Sequence, residues 1–70
     1  MMKVIDLRES ELFLFSEVLT IRDVLTHDTL IIDCTLSNND NVVNEIPHEY
    51  DNRKVLMIQP FNNELILSLI

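Results

Sequence analysis

The residues of this chain with the most obvious capacity for chemistry are His27, Asp28, Asp33, Cys34, His48, Glu49 and Asp51. Imidazoles and carboxylates gathered in one interval are the side chains that zinc or calcium would take. Their spacing matches no ligand pattern, and the chain has no glycine for the sharp turn of a helix–loop–helix calcium site. His27 reads instead as the polar C-terminal end of a helix, where a cation is mildly favoured. Cys34 would need an imidazole within hydrogen-bond reach to act as a nucleophile. It stands inside the apolar run Asp28–Ser37 and reads as a buried structural thiol. Phosphate loops, dinucleotide fingerprints and nucleophile elbows all require glycine, so none is present. A carboxylate pair acting on a substrate would need a pocket, and 70 residues leave little room for one beside a core. The chain is therefore expected to be no enzyme and to carry no cofactor and no metal.

A chain of 70 residues makes one small domain, spanning residues 1–70. Such a domain buries only about 60% of its unfolded surface, so its stability is marginal. One cysteine rules out an internal disulfide, which leaves packing or a partner chain as the support. An apolar fraction of 47% places the chain among folded proteins. No uncharged apolar run approaches a membrane span, and Asp6, Arg8 and Glu9 interrupt any secretory signal. With a lone thiol, the chain reads as cytoplasmic. A formal charge of −7 argues against nucleic acid or an anionic membrane as a direct partner. It permits a basic protein surface.

The elements that must position these residues follow from local patterns. Met2–Leu7 reads as a short first strand around Val4 and Ile5. Ser10 caps a helix to about Leu25, with Asp6 as a rival cap. Rotated at about 100° per residue, Phe13, Leu14, Val18, Ile21, Val24 and Leu25 form one broad apolar stripe able to cover a sheet. Leu12, Phe15 and Leu19 form a second stripe. A competing reading makes Phe13–Arg22 one or two strands, since Val18, Thr20 and Ile21 are β-branched and Phe-Leu-Phe suits a sheet. Period and length favour the helix.

Thr29–Leu36 reads as the central strand, with Leu30 and Ile32 on one face and Ile31 and Asp33 on the other. Ser37–Asn41 is a turn cluster. Asp40 is positioned to cap a helical turn over Val42–Ile46, which Pro47 ends. His48–Lys54 reads as exposed loop. Val55–Ile58 is a strand stopped by Pro60, and Asn62-Asn63 supply a tight turn into Glu64–Ile70, making a hairpin. With no glycine, positive φ angles must fall on Asn or Asp. Leu65–Ile70 is apolar on both faces, which predicts a central strand or one covered on both sides, with a second subunit as one source of cover. The expected fold is α/β (α+β): a mixed sheet of about four strands with one main helix packed on it, in the order β-α-β-(short α)-β-β.

The charge distribution points to function. Between Arg22 and Arg53 there is no Lys or Arg, while Asp23, Asp28, Asp33, Asp40, Glu45, Glu49 and Asp51 recur at short intervals. Spaced acids on a folded frame can meet a groove built for evenly spaced phosphates. The chain is expected to be a small acidic protein-interaction module, an inhibitor or adaptor of another protein. Leu12, Phe15 and Leu19 are its expected anchors, with Leu65, Leu67 and Ile70 as additions at a subunit contact. Asp28, Asp40, Glu45, Glu49 and Asp51 are its electrostatic complement. A narrower form is a viral or mobile-element protein that blocks a basic nucleic-acid-binding enzyme. The alternative is a homo-oligomeric structural subunit, in the simplest case a homodimer, whose assembly buries the extra apolar stripe.

Overall fold

Asp6 closes the first turn of a helix that its β-branched neighbours do not suggest. Its carboxylate accepts a hydrogen bond from the Lys3 backbone N–H at 2.9 Å, one half of a capping box. In the computed structural model, which describes residues 1–10, 14–35 and 41–70, this helix, α1, spans Val4–Glu9. Six residues are too few to hold a helix by propensity. Two of its free N-terminal donors are taken by a later loop: Val4 donates to the Arg53 carbonyl at 2.9 Å and Ile5 to that of Asp51 at 3.0 Å. The expected first strand is thus replaced by a helix, and only Lys3 bridges to Lys54. Ser10, expected to open a helix, closes this one. Its backbone N–H donates to the Asp6 carbonyl, and its Oγ donates to the Leu7 carbonyl at 2.7 Å.

The expected main helix over Ser10–Leu25 is not present in the described residues. Val18–Asp23 is strand β1. Its burial has a period of two: Leu19, Ile21 and Asp23 are buried, whereas Val18, Thr20 and Arg22 are half-buried or exposed. The β-branched residues and the need of the last strand for a partner override the helical spacing. Strand β2 is Thr29–Asp33, β3 is Val55–Phe61 and β4 is Glu64–Leu69.

The sheet is mixed, in the order β2-β1-β4-β3. β1 and β4 run parallel at its centre, from Val18 beside Glu64 to Asp23 beside Leu69. β2 and β3 pair antiparallel at the two edges. β2, expected at the centre, is an edge strand because β4 takes the other side of β1. The central place read for the C-terminal run is the one β4 occupies. The β3–β4 hairpin turns on Asn62 and Asn63, with φ of 45° and 62°, the left-handed pair that suits the twist of a two-residue hairpin. Pro60 lies within β3 and does not stop it. On an edge strand its missing N–H costs the ladder nothing.

One face of the sheet is covered. Leu19, Ile21, Leu65, Leu67 and Leu69 pack beneath Val4 and Leu7 of α1 and beneath Val42, Val43 and Ile46. Each such side chain contributes roughly 1.5–3 kcal/mol by leaving water. Val42–Glu45 is a 3₁₀ turn whose N-cap is Asn41: its side chain accepts from Val43 N–H at 3.3 Å and from Leu14 N–H at 3.1 Å. The expected cap, Asp40, lies outside the described residues. His48–Tyr50, read as exposed loop, is a second 3₁₀ turn, and Tyr50 packs against the core. Arg8 ties this layer together. Its guanidinium donates to Asp51 Oδ1 at 2.7 Å and to the Val43 and Ile46 carbonyls. Among the described residues the fold is α+β: a mixed four-stranded sheet with one short helix and two 3₁₀ turns on one side.

Candidate interaction face

The other side of the sheet has no covering layer among the described residues. The strand registers assemble it row by row. Thr29, Arg22, Ser68 and Met57 form one end row; Ile31, Thr20, Ile66 and Gln59 form the middle; Asp33, Val18, Glu64 and Phe61 form the other end. Water-facing strands normally carry polar residues on this side. Here Ile31 is 67% exposed, Phe61 63% and Met57 46%, and Val18, Thr20 and Ile66 are half-buried. Every strand thus places an apolar side chain on this face, interspersed with Thr20, Gln59 and Ser68.

The face is framed by charge of opposite sign at its two ends. Arg22 is exposed at one end, and Asp33 and Glu64 are exposed at the other. Because Val18 lies beside both Asp33 and Glu64 in the registers, the two carboxylates flank the same column that carries Arg22. Asp33 accepts from the Thr35 backbone N–H at 2.9 Å and from its hydroxyl at 2.6 Å. The Thr35 hydroxyl and amide hold the Asp33 carboxyl below its ordinary value.

The sequence-expected partner residues are scattered by the fold. Leu19 lies in the core beside Leu65, with no exposed surface to offer a partner. Leu65 and Leu67 are likewise core, because β4 turns these side chains to the covered face. Phe15 is 74% exposed, in the segment before β1, and Ile70 is partly exposed beyond β4. Leu12 and Asp40 lie outside the described residues. Asp28 is exposed at the β1–β2 turn and Glu49 is exposed in the second 3₁₀ turn. Glu45 is half-buried. Asp51 is held by Arg8 and by His48 Nδ1 at 3.2 Å, and the Arg8 guanidinium draws its carboxyl below the ordinary range. Glu45, Glu49 and Asp51 therefore belong to the covering layer, with the exposed Asp6 and Glu9 of α1. On the open face the exposed acids are Asp33 and Glu64, at one end of it.

Sequence reasoning missed the open face because its members are single outward positions of four strands. One signal was available in β4, whose run is apolar on both sides.

Cys34 is buried just after β2, and its Sγ lies 3.7 Å from the Ile32 carbonyl. Burial pushes the thiol up, and the Glu45 carboxylate adds to that. Such a thiol is a poor nucleophile. Among the described residues no group of three or more His, Cys, Asp or Glu side chains is arranged to hold a metal ion. No helix among them is long and apolar enough to cross a membrane.

The chain has no match among protein-family models, curated proteins or solved structures. The open face therefore carries the functional reading on its own chemistry.

Proposed function

We propose that this chain is a small acidic protein-interaction module that acts on another protein, as inhibitor or adaptor, through surface contact. The observation that supports it is the open sheet face, where Ile31, Met57 and Phe61 stand exposed on one side of the sheet. Exposed apolar side chains gathered on one uncovered face favour a docking role. The net charge of −7 supports a basic partner, since it raises the rate of encounter with a positive surface, and Asp33 and Glu64 stand at the rim of the contact. A nucleic-acid-binding protein is the narrower form of that partner. The single buried thiol suits work in the cytoplasm.

The test is capture on the immobilised chain from host lysate at low and high salt, with competitor DNA and RNA. Recovery of a basic nucleic-acid-binding protein that salt or competitor releases supports the inhibitor reading. Recovery of the chain alone, as a salt-resistant assembly, overturns it.

The second reading is a homo-oligomeric structural subunit. The opposed charges at the two ends of the open face favour it, because a two-fold contact can then set opposite signs against each other.

A further inference from the structure

The layout of the open face specifies its own occupant. We propose that two copies of this chain pack open face to open face about a two-fold axis that runs across the strands. In this dimer, Arg22 of each copy sits between Asp33 and Glu64 of the other. This deepens the homo-oligomeric reading and rests on it.

The rows decide the axis. A two-fold axis across the strands keeps each strand over its own counterpart and exchanges the two end rows. Arg22 then stands over Val18 of the second copy, the position that the registers place between Asp33 and Glu64. Met57 stands over Phe61, bringing a thioether to an aromatic ring, a favourable contact for both. The middle row meets itself, so Ile31 packs on Ile31 and Ile66 on Ile66. Sheets packed in this way keep their strands within about 30° of alignment, which preserves these neighbours.

An axis along the strands does the opposite. It exchanges β1 with β4 and β2 with β3, setting Glu64 over Val18, Asp33 over Phe61 and Arg22 over Ser68. Both carboxylates would then lose water without a cation, which is costly. Charge complementarity thus selects one arrangement of the two.

The net charge of −7 per copy does not forbid this. The acids of α1 and of the second 3₁₀ turn lie beyond the sheet, on its covered side. Stacked layers are separated by about 10 Å, and salt at physiological strength screens beyond about 8 Å. The pairs at the face act at contact.

The measurement is the dissociation constant of the full chain by sedimentation equilibrium, with circular dichroism as a check on folding. The variants are Ile31→Lys, Arg22→Glu and the double swap Arg22→Glu with Glu64→Arg. All three positions are exposed, so the fold is expected to survive. The wild type is expected to dimerise. Ile31→Lys sets two like charges face to face on the axis, and Arg22→Glu adds a third carboxylate beside Asp33 and Glu64. Each is expected to weaken the dimer about tenfold or more. The double swap restores an opposite-charge pair and is expected to recover most of the loss.

A dimer unmoved by Ile31→Lys and Arg22→Glu overturns the proposal and leaves the homo-oligomer reading standing on another surface. A dimer broken by Ile31→Lys but indifferent to Arg22→Glu overturns the axis. A wild type that stays monomeric at every concentration overturns both. If Ile31→Lys then abolishes capture of a basic protein, the face belongs to that partner.

Discussion

Arg53 holds Asp23 from 30 positions away, with Nη1 2.7 Å from Oδ2 and Nη2 2.8 Å from Oδ1. The same carboxylate accepts from the backbone N–H of Leu25 at 3.0 Å and of Thr26 at 3.2 Å. One largely buried side chain therefore shapes the β1–β2 turn and fastens it to the start of β3. The fork geometry is specific to arginine, whose two parallel donors match a carboxylate.

This pairing is expected to steepen the acid limb of stability. The Arg53 guanidinium holds the Asp23 carboxyl well below its ordinary value of 3.8. A carboxyl depressed in the folded state stabilises fully above its unfolded value, and the contribution drains as pH falls through the window below 3.8. Asp51 and Asp33 are shifted the same way and add to the slope. Urea midpoints followed from neutral pH downward are expected to fall more steeply in the wild type than in Asp23→Asn. Parallel curves would show that this pair does not control the acid transition.

Leu67 and Phe15 give opposite expectations. Leu67 is fully covered in the central strand, so Leu67→Ala is expected to cost about 2–5 kcal/mol. In a domain this small that is most of the margin. Leu19→Ala is expected to behave alike. Phe15→Asp touches an exposed residue and is expected to stay within about 0.5 kcal/mol of wild type. Denaturant unfolding checks all three, and a large loss at Phe15 would place that ring in the core.

His27 takes a φ of 65° in the β1–β2 turn, where an Asn or Asp was expected, and it does not end a helix; β-branched side chains resist that conformation strongly. His27→Val is expected to destabilise by about 1–3 kcal/mol. His27→Gly is expected to be close to neutral, since relief at the turn is offset by greater freedom of the unfolded chain. Thermal melts of the two variants provide the comparison, and equal melting temperatures would remove the turn from consideration.

Cys34 is buried and its thiol is raised, so alkylation at neutral pH is expected to be far slower than for a free thiol and to accelerate with denaturant. Fast labelling of the folded chain would contradict its placement.

Much of the β structure was legible locally. The Asn62-Asn63 turn, the two-sided apolarity of Leu65–Ile70 and the facing of Leu30 and Ile32 all follow from residue type and alternation. The short turn at Val42 was also readable, although its cap is Asn41. The segment from Ser10 to Leu25 was not. It holds no proline or glycine to break a helix, and its apolar residues satisfy both a period of 3.6 and, over Val18–Asp23, a period of two. Which period prevails depends on β4, which lies 46 residues further along the chain in the register of Leu19 with Leu65. The open face was illegible for the same reason: its rows exist only once four strands are aligned.

The parallel pairing of β1 with β4 also bears on how the protein is made. β4 is the strand that joins the two halves of the sheet, and the ribosome delivers it after the other three. Without Glu64–Leu69 nothing joins the β1–β2 hairpin to β3, and Leu65, Leu67 and Leu69 are missing from the floor of the core. The central pairing therefore waits until Leu69 has been made and has left the ribosome.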